Sequence, residues 1–345
     1  MTQIIVEKNE NGLGTILLDR PKALNALNYE MISDMKETLE KWQKDDTVKV
    51  ILFSSTTEKA LCAGGDMKSM YEAKIAGADL EEINKFFPHE YSFDELVHHY
   101  EKPIVANLNG IVMGGGVGFS YGADYKIVTE TTMWAMPEMK ISFFPDVAAS
   151  YFLNKAPGKV GRYAALTSES FNAADVLFMN AANVYVKSEQ LPSLFTKLNK
   201  TNWYETNIEE TLRSIMEEFH STPDVKSNLE ENFTKINEHF SYDTIEEIFA
   251  SLEKDNSKFS QQTLTILRSL SPLSLKVGLE LMKRGETMTV SESFQMDLVV
   301  ARRFLEIDDF YEGVRSVLVD KDRNPNYYYQ SIEQVPDELV ASFFG

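Results

Sequence analysis

Through the first half of the chain, apolar residues fall into short runs separated by polar stretches of helical period. The runs GTILLD at 14–19, VKVILFSS at 48–55, KPIVANLNGI at 102–111 and YKIVTE at 125–130 predict strands. Between the first two, NYEMISDMKETLEKWQKDD at 28–46 sets Met31, Met35, Leu39 and Trp42 at helical spacing. Strand, helix, strand in that order implies parallel crossovers. From about residue 190 the pattern changes. NIEETLRSIMEEF at 207–219, TIEEIFASLEKD at 244–255, SQQTLTILRSL at 260–270 and SLKVGLELMKRG at 274–285 read as amphipathic helices, and strand signals largely vanish. The expected class is α/β, with a core over 1–190 and a helical carboxy-terminal region over 191–345. The last stretch, 323–345, mixes prolines and polar residues, which predicts irregular backbone until one short final helix.

Composition narrows the function classes. A chain of 345 residues, 43% hydrophobic and 25% charged, can bury a sizeable core as one large domain or two of moderate size. The formal net charge of −19 argues against a nucleic-acid partner, which would draw on clustered lysine and arginine. No charged start leads into an apolar signal segment and no apolar run is long enough to span a bilayer, so no membrane partner and a cytoplasmic location are expected. The single cysteine, Cys62, excludes an internal disulfide, and the five histidines, His89, His98, His99, His220 and His239, show no zinc spacing. A metal-free protein is expected.

Candidate chemistry begins at NGIVMGGGVG, 109–118. Gly114, Gly115 and Gly116 lie between an apolar run and an apparent helix start, although each glycine costs roughly 0.5–1 kcal/mol relative to alanine in a regular element. A second pair, in LCAGGDM at 61–67, follows the 48–55 run as the first cluster follows the 102–111 run. Two such loops at the carboxyl ends of parallel strands can converge on one ligand atom. That arrangement suits an oxyanion hole of two backbone N–H donors. Neither loop has a Walker A lysine or dinucleotide-fingerprint spacing.

DRPKALNAL at 19–27, ALCAGGDM at 60–67, NGIVMGGGVG at 109–118 and MPEMKISFFPDV at 136–147 together resemble the crotonase, or enoyl-CoA hydratase/isomerase, superfamily in order and spacing. Within it, the PE-to-PD pairing, KAPGKVGRYAALT at 155–167 and YEGVRSVLVDKDRNP at 311–325 are similar to the 3-hydroxyisobutyryl-CoA hydrolases. The resemblance covers essentially the whole chain. It implies a spiral of ββα turns and a helical carboxy-terminal region covering the site. It also implies a small-molecule acyl-CoA substrate, with its thioester oxygen between the N–H groups of Gly65 and Gly115. Gly64, Asp66 and Gly114 would line the same loops, and Lys22 with the backbone of Ala23 and Leu24 would hold the coenzyme's adenine and phosphates. No separate cofactor is implied, since coenzyme A is part of the substrate, and homo-oligomerisation is left open.

Glu138 in MPEM and Asp146 in FFPDV are the acid–base candidates. Each sits in apolar company, where burial raises a carboxyl pKa toward neutrality. The resemblance gives Glu138 the attack on the thioester or the activation of water, and gives Asp146 contact with a β-hydroxyl. Glu90, in PHEY, matches a glutamate near the acyl pocket of the hydrolases. Hydratases of the superfamily carry a second glutamate where this chain has Gly118, so hydrolysis is expected over hydration or isomerisation. A silent binding protein is the remaining alternative, against which both carboxylates and both glycines argue. Cys62 reads as small buried packing, and His98 and His99 as structural. After the PD pair the chain has Ala148 and Ala149 where the hydrolases often have glycine, a change expected to narrow the acyl pocket.

Overall fold

A computed structural model describes residues 3–345. Among them are nine strands, β1 (Ile4–Lys8), β2 (Leu13–Leu18), β3 (Val50–Ser55), β4 (Ala60–Cys62), β5 (Ile104–Asn107), β6 (Ile111–Met113), β7 (Tyr125–Val128), β8 (Met133–Ala135) and β9 (Val184–Tyr185). They form a six-stranded sheet in the order β1-β2-β3-β5-β7-β9 and a three-stranded sheet in the order β4-β6-β8. β1 pairs with β2 as an antiparallel hairpin; β2/β3, β3/β5, β5/β7, β7/β9 and β4/β6 are parallel. The expected α/β class and the expected crossovers are both present.

The helix between β2 and β3, Tyr29–Gln43, starts where Asn28 accepts the Met31 N–H at 2.9 Å and buries Met31, Ile32, Met35, Leu39 and Trp42. The 102–111 run differs from expectation. It gives two strands in two sheets, broken at Gly110, whose φ of 71° turns the chain. The break is locked by Asn109, whose Oδ1 accepts the hydroxyls of Thr129 and Thr131, each at 2.7 Å.

Two compact units divide the chain. One comprises the chain up to Gly65 with His89–Trp134 and Phe171–Ser227; the other comprises Asp66–Pro88, Ala135–Ser170 and Asn228–Gly345. In the first, strands β2, β3 and β5 of the large sheet are buried on both faces, as strands of parallel sheets are. Val50, Leu52 and Val105 meet Leu194, Leu198 and Leu212 from the helices Leu191–Lys200 and Ile208–Phe219. The opposite-facing Phe53 meets Phe119 at 5.3 Å between ring centroids and Phe93 at 6.4 Å. The second unit is mainly helical. Phe143 and Phe144 sit in an aromatic cluster with Phe304 and Phe310, ring centroids 5.2–5.6 Å apart. The expected helices appear as Ile245–Lys254, Lys258–Arg268 and Pro272–Gly285, and the chain ends in the short helix Asp337–Ser342.

Candidate active site

In the first unit β4 and β6 are parallel neighbours, so the loops leaving their carboxyl ends lie side by side. A Cβ built on Gly64 would lie 3.2 Å from the Met113 carbonyl oxygen and 3.7 Å from the Gly115 nitrogen. The Gly64 carbonyl accepts the Leu27 N–H at 2.8 Å, and Gly65 bridges Leu27 in parallel register. Gly114 caps the helix Gly115–Tyr121 with φ 50° and ψ −122°, a conformation closed to residues with a Cβ. Its two neighbours answer to close approach instead. A Cβ on Gly115 would stand 2.1 Å from Glu90 Oε1, and one on Gly116 would stand 2.6 Å from the Cys62 carbonyl oxygen. Each of the three consecutive glycines thus has its own cause.

Glu90 lies on the helix Phe86–His98 and is 1% exposed; Asp94, one turn later, is equally buried. Sequence reading missed Asp94, whose i, i+4 spacing from Glu90 was the available signal. Cys62 is fully buried beside them. Burial pushes its thiol pKa well up, and the charges of Glu90 and Asp94 push it the same way, which disfavours the reactive thiolate and fits a packing role.

Lys22 is exposed on the one-turn 3₁₀ helix Pro21–Ala23. The Ala23 and Leu24 N–H groups donate within that turn to Arg20 and Pro21, and the Leu24 carbonyl accepts the Ala63 N–H at 3.0 Å. Asn25, also missed from sequence, is the turn's anchor. It is fully buried, accepts the Arg20 N–H at 2.8 Å, and donates to Ser55 Oγ and to the carbonyls of Ala60 and Leu61 in β4.

The carboxylates Glu138 and Asp146 belong to the second unit, as does Asp66, which caps the helix Met67–Ile75 through the Ser69 N–H. Glu138 is 6% exposed and opens the 3₁₀ turn Glu138–Ile141, which the left-handed Ser142 (φ 53°) closes; its carbonyl accepts the Phe143 N–H at 3.1 Å. Gly313 of the helix Asp308–Val314 packs on this turn, and a Cβ there would lie 2.3 Å from the Ile141 carbonyl oxygen.

Asp146 is 4% exposed and precedes two left-handed residues, Val147 at φ 52° and Ala148 at φ 60°. For side chains with a Cβ this conformation costs roughly 1–2 kcal/mol per residue. Asp297, on the helix Val290–Leu305, is fully buried, and its Oδ2 accepts the Ala148 N–H at 2.7 Å. Burial pushes its pKa well above the usual carboxylate range, and the Asp146 charge adds to this. Asp297 was missed because the amphipathic stretch carrying it bears no motif. Among the described residues no group of three or more His, Cys, Asp or Glu side chains is arranged to hold a metal ion.

The family model described as Enoyl-CoA hydratase/isomerase matches residues 13–344. The chain belongs to this family. Among curated members it is 36% identical over 99% of its length to the "3-hydroxyisobutyryl-CoA hydrolase, mitochondrial" of Gallus gallus, 88% of which is covered. It is 35% identical over 99% of its length to the protein of the same name from Homo sapiens, again covering 88% of that chain. Solved structures of the family agree in fold. A carnitinyl-CoA dehydratase from Mycobacterium thermoresistibile superposes with a TM-score of 0.91 at 32% identity, covering 100% of this chain and 97% of that one. An enoyl-CoA hydratase from Rhodobacter sphaeroides gives 0.89 at 30% identity, with 99% and 97% covered. Among the described residues no helix is long and apolar enough to cross a membrane.

Proposed function

We propose that this chain hydrolyses a short 3-hydroxyacyl-CoA thioester, with 3-hydroxyisobutyryl-CoA as the first candidate. The observation carrying this reading is the match, over 99% of the chain, to relatives named for that hydrolysis. Gly118 supports it: this buried residue of the helix Gly115–Tyr121 stands where the superfamily's hydratases bring a second glutamate, and adding water across a double bond draws on both. In this reading the N–H groups of Gly65 and Gly115 stabilise the thioester oxygen as it gains charge. Gly64, Asp66, Gly114 and Glu90 are assigned to substrate binding, while Lys22, Ala23 and Leu24 are assigned to the coenzyme.

Glu138 carries the chemistry. Its burial among apolar residues leaves a carboxylate poorly hydrated and therefore reactive, which favours direct attack on the thioester carbon. The carbon–sulfur bond breaks, the coenzyme leaves as a thiolate that takes a proton, and water then attacks the glutamyl carbonyl to free the acid. Asp146 contacts the β-hydroxyl and assists proton transfer. We assign the protein to the cytoplasm, although the vertebrate relatives carry "mitochondrial" in their names; fractionation of the source cells tests that assignment.

Hydration or isomerisation is the second reading, and the hydratase and dehydratase titles of the two structural neighbours favour it. Thiol release from a panel of acyl-CoAs separates the two. Thiol appearing fastest from 3-hydroxyacyl thioesters is the expected result, whereas conversion of an enoyl-CoA with no thiol establishes the second reading. One turnover in ¹⁸O-water with enzyme in excess then tests Glu138. Label in the Glu138 peptide is expected; label only in the released acid makes Glu138 a general base.

A further inference from the structure

We propose that Asp297 is a positioning residue: it holds the left-handed turn at Val147 and Ala148 and thereby sets the direction of the Asp146 carboxylate. The inference rests on the hydrolase reading for its kinetic test alone. Consecutive left-handed residues with side chains persist only where the surroundings over-determine them. Here the chain is pinned on both sides of the turn. The Ala149 N–H donates to the Asp146 carbonyl at 2.9 Å, and the Tyr151 and Phe152 N–H groups donate to the Ala148 carbonyl at 2.9 and 3.2 Å. The Ala148 N–H points away from these and donates to Asp297 Oδ2 at 2.7 Å. This bond crosses from residue 148 to a helix 149 positions later, so it is the tertiary restraint on a turn that is otherwise locally strained.

The carboxyl is suited to the task because it can stay neutral. Asp297 is fully buried, its Oδ1 has no hydrogen-bond partner among the described residues, and burial with the Asp146 charge disfavours ionisation. The other charged groups on its helix are engaged elsewhere. On its own helix Arg302 pairs with Glu81 of the helix Leu80–Asn84, Arg303 with Glu306, and Glu292 with the Thr289 cap. On the helix Asp308–Val314, Asp309 accepts the Tyr328 N–H. The segment Ala149–Phe152 packed against it carries no charge. A neutral acid therefore restrains Ala148 without placing a second negative charge beside Asp146.

The test compares Asp297→Ala with Asp297→Asn, whose side-chain oxygen can accept the same N–H. Removing the restraint is expected to lower kcat by roughly 10- to 10²-fold, the scale of misplacing a reacting group, with little change in KM. Amide hydrogen exchange over 146–152 should quicken in the same variant. Asp297→Asn should restore both. An Asp297→Ala enzyme with unaltered kcat and exchange overturns the proposal, as does an asparagine variant impaired as badly as the alanine one. If the wild type releases no thiol from any acyl-CoA, the hydrolase reading fails and exchange alone decides the role of Asp297. Should Asp297→Ala not fold, Asp297→Ala with Ala148→Gly replaces it, because glycine adopts φ 60° without the hold. Recovery of folding in that double variant supports the proposal, and failure to fold overturns it.

Discussion

At Gly115 the cost of one methyl group can be read directly. Alanine there would put its Cβ 2.1 Å from Glu90 Oε1 and 3.3 Å from Leu27 Cδ1, so either the Glu90 side chain or the glycine loop must move. Displacing the loop misaims the N–H assigned to the thioester oxygen, and losing one such donor typically costs about 10²–10³ in turnover. Gly115→Ala is therefore expected to lower kcat by about 10² in a folded protein. Glu90→Ala in the same chain discriminates the cause. If the loop was displaced by the collision, the double variant matches Glu90→Ala alone; a deficit of Glu90→Ala itself against wild type means that Glu90 contributes to the reaction. Unchanged turnover in folded Gly115→Ala would remove this loop from the site.

Between elements, the decisive contact is Gly313 on the Glu138–Ile141 turn. The atoms a Cβ would meet are the Ile141 carbonyl, at 2.3 Å for its oxygen, and the Ser142 nitrogen at 2.9 Å; backbone cannot step aside as a side-chain tip can. Gly313→Ala is expected to destabilise by about 1–3 kcal/mol, the range for overpacking, and to lower kcat by shifting the turn that carries Glu138. Denaturant midpoints and initial rates check both, and an unmoved midpoint contradicts the contact. This scale also marks what sequence can and cannot reveal. The Tyr29–Gln43 helix was legible because its buried positions recur at helical period over fifteen residues. β4, β6 and β8 are three residues each, too short for any alternation to register, so the 102–111 run concealed a change of sheet. The glycine loops and Glu138 were legible as motifs. Asp94, Asn25 and Asp297 were not: Asn25 and Asp297 bond to chain distant in sequence, and only Asp94 had a local cue.

For the whole molecule, the buried acid makes stability depend on pH in a direction opposite to that of an ordinary salt-bridged carboxylate. Asp297 ionises near pH 4 in the unfolded chain, as a free aspartate does, but is held protonated well above that when folded. Between those two values the folded chain binds one more proton than the unfolded one, so stability falls as pH rises through the window. Below about pH 4 both states are protonated and the penalty disappears. Asparagine binds no proton in either state, which makes Asp297→Asn a direct subtraction of this one group. Other contributions, including the buried Asp309 with its raised pKa and the self-repulsion of a chain with net charge −19, are shared by both proteins and cancel to first order. The variant is therefore expected to gain stability relative to wild type as pH rises from about 4 to neutrality, with no relative gain at lower pH. Paired denaturant melts from acid to neutral pH measure the gap. Parallel curves would mean that Asp297 titrates alike in both states, and a gap opening toward acid would mean that it is ionised and paired in the folded chain, removing the neutral acid beside Asp146.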